Sequence, residues 1–150
     1  MLKMPSLSQR RGFTLIEILI VVAIIGILAS VVLVGLGPVQ QKGRDARRIS
    51  DLKQIQTGLE LYFAKNGVYP TGPFADWSAF QAALIGAGVG VTNVPQDPST
   101  ASTYNYGTTG GTTYTLSTTL EDTGNPALNN DIDGVSDGLG CADPVYCVQL

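Results

Sequence analysis

The sequence predicts an α+β protein: a long N-terminal helix, half membrane-spanning and half amphipathic, packed on a small antiparallel β-sheet. Three observations carry that prediction. Residues 13–36 form a run of 24 in which Glu17 is the one charged side chain. Apolar residues then recur at helical spacing up to an Asn-Gly stop at 66–67. Beyond about residue 104 the pattern changes to strict alternation around glycine turns, which is the period of a strand.

The chain opens with a short polar leader, Met1 to Gly12, carrying Lys3, Arg10 and Arg11 and no acid. The apolar run follows at once. At about 1.5 Å per residue its helix is roughly 36 Å long, enough for a hydrocarbon core of about 30 Å. Glu17 is the anomaly, because a carboxylate inside a bilayer needs a partner or must be neutral. Lys and Arg are absent from Phe13 to Gln41, so its counter-charge has to come from outside the helix or be newly made. A cut between Gly12 and Phe13 would make one, a free α-amine one helical turn from Glu17.

Arg11-Gly12-Phe13-Thr14-Leu15-Ile16-Glu17 followed by an apolar run resembles the class III signal of type IV pilins and type II secretion pseudopilins. The resemblance implies a pilin-like fold, cleavage after Gly12 by the prepilin peptidase, and N-methylation of Phe13. It also implies that Glu17 pairs with the Phe13 amine of a neighbouring subunit in a helical filament of this and other pilins, built on an inner-membrane assembly platform. The implied organisation is a leader (1–12), a transmembrane and filament-core helix (13–37) and an extracytoplasmic head (38–150) that includes the amphipathic half of the helix. The implied function is structural, in a surface pilus or a periplasmic secretion pseudopilus, with the N-terminus cytoplasmic. On the residues alone two other readings stay open. One is a secretory signal peptide cut near Ala29-Ser30, opposed by the length of the run and by Glu17. The other is a monomeric single-pass anchor bearing a binding module, for which Glu17 has no use.

Charge flanking the run does not settle orientation, since Lys42, Arg44, Arg47 and Arg48 follow it with only Asp45 to offset them. Gly35, Gly37 and Pro38 predict a kink or short break. From about Gln40 the helix resumes: Ile49, Leu52, Ile55, Leu59 and Tyr62 make an apolar stripe, with Arg48, Asp51, Lys53 and Glu60 largely off it. Asp51-Leu52-Lys53 and Asn66-Gly67-Val68-Tyr69-Pro70-Thr71 resemble the corresponding stretch of G-type pseudopilins.

A short helix is predicted after Asp76 as N-cap, with Trp77, Phe80 and Leu84 as a core stripe and Gly86-Ala87-Gly88 as its end; a ligand-stacking Trp77 is the alternative, and the spacing favours a core anchor. Val94-Pro95-Gln96-Asp97-Pro98 reads as a turn. Tyr104-Asn105-Tyr106, the turn at Thr108-Thr109-Gly110-Gly111, and residues 112–121 read as a hairpin. In it Tyr114, Leu116 and Leu120 face inward, and Thr113, Thr115, Ser117, Thr119 and Glu121 face outward. Tyr146 to Leu150 is a candidate last strand.

The chemistry is sparse. There is no histidine, and there are two cysteines. This excludes His-based acid–base catalysis, Ser-His-Asp and Cys-His triads and the usual zinc sites, and predicts that the protein is not an enzyme. All nine Lys and Arg lie at or before Lys65, and residues 66–150 hold eight acids, so no nucleic-acid partner is expected for the head. Asp131, Asp133 and Asp137, on a Gly-bent loop, are candidate ligands for calcium, a hard cation that takes clustered oxygens. The alternative is a solvated acidic loop built on Asx turns. Cys141 and Cys147 are expected to be bridged in an exported head, contributing on the order of 2 kcal/mol. The alternative is a pair of thiols in a cell that does not oxidise its surface.

Overall fold

A computed structural model describes residues 12–100 and 102–150 of the chain. Its internal contacts divide the chain between Gly37 and Pro38. Helix α1, Leu15–Asn66, runs through that division with Pro38 inside it. The short break expected at Pro38 does not occur. Proline withdraws one donor from the ladder, and the bonds on either side sustain the helix.

In the N-terminal unit, Leu15–Val32 is long and apolar enough to cross a membrane, with a mean hydropathy of 3.0 and none of it buried. Leu19, Val22, Ile24, Ile27 and Val31 all stand exposed in the single chain. A helix apolar on every side finds its stable surroundings in lipid or among other helices.

The second unit holds the core. Leu52, Ile55 and Leu59 of α1 are buried, as the stripe predicts, and they meet Tyr69, Phe80, Leu84, Tyr104, Tyr114 and Leu116. Helix α2, Trp77–Gly86, starts where Asp76 accepts a hydrogen bond from the Ala79 N–H at 2.9 Å, and buries Phe80 and Leu84. Strands β1 (Asn105–Thr109) and β2 (Thr113–Thr119) form the expected hairpin, turning at Gly110 and Gly111 with φ of 64° and 72°. A short 3-10 helix, Pro126–Asn130, and a two-residue hairpin of β3 (Val135–Ser136) and β4 (Leu139–Gly140) lead to β5 (Val145–Gln149). The three-stranded sheet is antiparallel with order β1-β2-β5, so β2 is central, with Ser117 opposite Cys147.

Two expectations are corrected. The middle of the threonine face of β2 is not exposed: Thr115 and Ser117 are buried along with Tyr114 and Leu116, while Thr119 at its end is exposed. The 134–140 segment lies over that face, and a side chain at Gly107 would collide with the Asp137 carbonyl. The hydroxyls can be covered because they are satisfied. Thr113 and Thr115 each donate to the Asp137 carboxylate at 3.0 Å, and Thr115 shares a 2.7 Å hydrogen bond with Ser136. Arg48, placed off the apolar stripe, is also fully buried, because the 95–99 and 119–122 loops wrap the helix there.

Candidate functional site

Polar chemistry is carried by the start of α1, a buried cluster around Arg48, and the acidic C-terminal loop. At the first, Gly12, Phe13 and Thr14 precede the helix in non-helical, exposed backbone. Phe13 is 85 % exposed. A peptide bond here is open to a protease, whereas one inside α1 would be held in its hydrogen-bond ladder. Residues 1–11 of the leader, including Arg10 and Arg11, lie outside the described residues.

Glu17 has hydrogen-bond partners within its own segment. Its Oε2 accepts from the Thr14 N–H and the Thr14 hydroxyl, both at 2.8 Å, and the Thr14 Oγ1 accepts from the Glu17 N–H at 3.3 Å. This is a reciprocal capping box, with Thr14 as the cap and Glu17 three residues later. Thr14-Leu15-Ile16-Glu17 spells that motif in the sequence, so the signal was there to be read. The charge remains uncompensated within the segment, but the carboxylate is aimed back towards the start of the chain.

The Arg48 cluster ties three segments together. Arg48 Nε and Nη2 grip the Asp97 carboxylate at 2.8 and 3.0 Å, and Nη1 donates to Asp45 and Glu121, both at 2.8 Å. Asp45, equally buried, accepts from the Glu121 N–H at 3.0 Å and the Asp122 N–H at 2.9 Å. Arg44 Nε joins from outside, 2.7 Å from Glu121. Hydrogen bonds from Arg44 and then Arg48 pull the Glu121 carboxyl from 4.5 down to about 2, and those that Arg48 donates to Asp97, Glu121 and Asp45 raise Arg48. The cluster fixes the loops to the helix, and its buried groups bond to one another.

In the acidic loop the structure brings Asp131 and Asp133 together with Asp143, one carboxylate oxygen of each lying within 4.8 Å of the others. Asp137 is not in this group: it faces β2 and is held by Thr113 and Thr115. Burial pushes its carboxyl up, but hydrogen bonds from Thr109, Thr113 and Thr115 together outweigh it and lower the carboxyl. Asp131 Oδ2 accepts from the Cys147 N–H at 2.9 Å, and its Oδ1 is buried without a partner among the described residues. Cys141 and Cys147 form a disulfide with Cα atoms 5.7 Å apart, and Asp143 sits inside the loop it closes. Asp143 was missed because nothing in the linear spacing links it to Asp131. Its place between two cysteines was the available clue.

Residues 7–33 match the family model described as the prokaryotic N-terminal methylation motif. The chain is 38 % identical over 68 residues to the type II secretion system core protein G of Escherichia coli (strain K12), covering 45 % of this chain and 47 % of that protein. It is 37 % identical over 68 residues to the protein of the same name in Vibrio cholerae, covering 45 % and 47 %. It is also 38 % identical over 61 residues to the type IV major pilin protein PilA of Myxococcus xanthus, covering 41 % and 28 %. The chain thus spans about half the length, or less, of the curated relatives it matches. No solved structure matches it.

Proposed function

Starting from an N-terminal segment that is that of the type IV pilin and type II secretion pseudopilin family, we propose that this chain is a structural subunit of a type IV pilus or a type II secretion pseudopilus. In this reading a prepilin peptidase cuts between Gly12 and Phe13, and the new Phe13 amine is methylated. The head, residues 38–150, stands outside the plasma membrane on a single span until an inner-membrane platform moves the subunit into a filament with copies of itself and other pilins. The observation that carries the reading is the helix Leu15–Val32, apolar on all sides and wholly exposed in the single chain, with one acid at its start.

The physical sequence is short. In lipid the unpaired Glu17 carboxylate is unfavourable, and so is a lone ammonium at Phe13 of another subunit. Bringing the two together removes both penalties at once, which gives association a direction and an axial register. Thr14 holds the carboxylate pointing towards the N-terminal end, where a neighbour's amine would arrive. The role is structural and not catalytic. It is supported by the lack of histidine and by a polar cluster at Arg48 whose groups are consumed by one another.

The acidic loop fits a hard divalent cation such as calcium, with Asp131, Asp133 and Asp143 as carboxylate ligands and Asp137 excluded. The buried oxygen of Asp131 that lacks a partner supports this. When bound, the ion would neutralise three acids that otherwise repel. The chain's own contribution is the Cys147 N–H, which orients Asp131, and the disulfide loop, which carries Asp143.

Two measurements test the main reading. Intact mass and N-terminal peptide analysis of membrane-extracted protein should place the mature start at Phe13. Shearing cells should release the protein in filaments. A chain that begins after Ala29 makes the segment a secretory signal peptide, and one that begins at Met1 or stays entirely in the membrane fraction leaves the monomeric anchored module as the reading.

A further inference from the structure

We propose that the cleft between the start of α2 and strand β1 is a binding site for a neutral carbohydrate, with Trp77 as its stacking platform. The cleft has a volume of about 360 Å3, within the roughly 300–1,000 Å3 of small-molecule sites, and all of it belongs to the head. Its lining is aromatic: Phe74, Trp77 and Tyr106 are partly exposed on it, while Phe80 and Tyr104 are buried. Trp77 lies 4.8 Å from Phe80 and 5.5 Å from Tyr104, centroid to centroid.

What these rings offer is surface rather than hydrogen bonds. Trp77 Nε1 donates to the Pro95 carbonyl at 2.8 Å, the Tyr104 hydroxyl to Asp51 at 2.8 Å, and the Tyr106 hydroxyl to the Pro70 carbonyl at 3.0 Å. Each polar tip is fixed by the protein, so the ring faces are held in place before a ligand arrives and little ordering remains to be done on binding. The apolar face of a pyranose ring is the natural complement of such a platform.

The rim supplies the polar half. Asp76, Thr103 and Asn105 are exposed and offer mainly acceptors. The Thr103 hydroxyl already donates to the Tyr104 carbonyl at 3.3 Å and the Asn105 amide to Ser117 Oγ at 3.4 Å, which leaves their oxygens, the Asp76 carboxylate and the second Asn105 N–H. Hydroxyl groups of a sugar both donate and accept, and this mixture suits them. No Lys or Arg lines the cleft, which opposes an anionic ligand. A cation over aromatic faces is the nearest rival. It is disfavoured because Asp76 is the N-cap of α2: its Oδ1 accepts from Ala79, and its charge is already partly offset by the helix N-terminus. The stripe reading of Trp77 as core packing accounts for Phe80, which is buried. Trp77 also packs against the core, as that reading has it, and leaves part of its surface exposed on the cleft.

The chain has one tryptophan, so its emission reports on this cleft alone. The full chain in a polyoxyethylene detergent, which carries no sugar, is titrated with cellotetraose, maltotetraose and chitotetraose. Oligogalacturonate serves as the anionic arm and arginine ethyl ester as the cationic arm. Saturable change in Trp77 emission is expected with at least one neutral oligosaccharide. Asn105→Ala should weaken it about tenfold, the effect of one lost hydrogen bond, while the far-ultraviolet circular dichroism stays unchanged. Asp76→Asn, which keeps the cap, should weaken binding by a smaller factor. Lack of saturation with all three neutral sugars overturns the proposal. So does saturation by the cation or the anion alone, or neutral binding that Asn105→Ala leaves untouched.

Discussion

Replacing Arg48 with methionine tests whether the polar cluster holds the head together. The guanidinium is fully buried and makes four hydrogen bonds to three carboxylates, two of which, on Asp45 and Asp97, are themselves buried. Methionine fills much of the space but leaves those carboxylates facing one another without a cation. Removing one partner from a buried ion pair costs about 3–5 kcal/mol, and the stranded acids account for most of it. For a unit of this size that corresponds to a fall in melting temperature of roughly 12–25 °C. The assay is thermal unfolding of the full chain in detergent, followed by near-ultraviolet signals of the aromatic core, for the wild type, Arg48→Met and Arg48→Met/Asp97→Asn. The second substitution removes one of the stranded charges, so the double variant should recover part of the loss and show clear non-additivity. A drop of under about 1 kcal/mol for Arg48→Met would refute the reasoning. A double variant less stable than the single one would also refute it.

Four more outcomes follow from the same structure. Glu17→Gln keeps an oxygen for the Thr14 N–H, so cleavage after Gly12 and membrane insertion should be normal while filament yield falls at least about tenfold; wild-type yield in a strain lacking the native subunit would sink the pairing mechanism. Cys141→Ser/Cys147→Ser should lower stability by about 2 kcal/mol in denaturant titration, and non-reduced peptide mass mapping should find the bridge in the parent. Calcium should raise the melting temperature of the wild type and not of Asp143→Asn, whereas Asp137→Asn should retain the response; equal responses from both variants would reject the ligand set. Glu121 titrates lower in the folded chain, near 2 against 4.5, so its stabilising contribution is complete above about pH 4.5 and is lost as pH falls towards 2. Acid unfolding of Glu121→Gln should therefore show a weaker dependence on pH across that window.

Whatever depended on local periodicity was legible in the sequence. The apolar run, the stripe through Leu52, Ile55 and Leu59, the Asp76 cap and the Gly110-Gly111 turn each declare themselves within a dozen residues, and each is in the structure. What depended on the chain returning to itself was not. Arg48 reads as a solvent-facing helix residue until Asp97 and Glu121, 49 and 73 positions away, close over it. The threonines of β2 read as a wet face because alternation marks which residues share a side, not what covers it. Asp137 looked like a ligand and became a hydrogen-bond acceptor for those same threonines, leaving its place to Asp143. Thr14 is a different case: its partnership with Glu17 is local and spelled out by the Thr-x-x-Glu spacing, but it supplies hydrogen bonds and not a counter-charge.

The strand order has a consequence for how the head is made. Central strand β2 pairs on one side with β1, four residues upstream across a tight turn, and on the other with β5, which begins at Val145. A chain synthesised from its N-terminal end offers β2 one partner promptly and withholds the other for more than twenty residues. During that interval one side of β2 is an open row of peptide groups, the feature that recruits strands from other chains. The same 145–149 stretch brings Cys147 opposite Ser117 and places the Cys147 N–H on Asp131. Closing the sheet, presenting the second cysteine to its mate and orienting the acidic loop are therefore one event in time, and it is the late one.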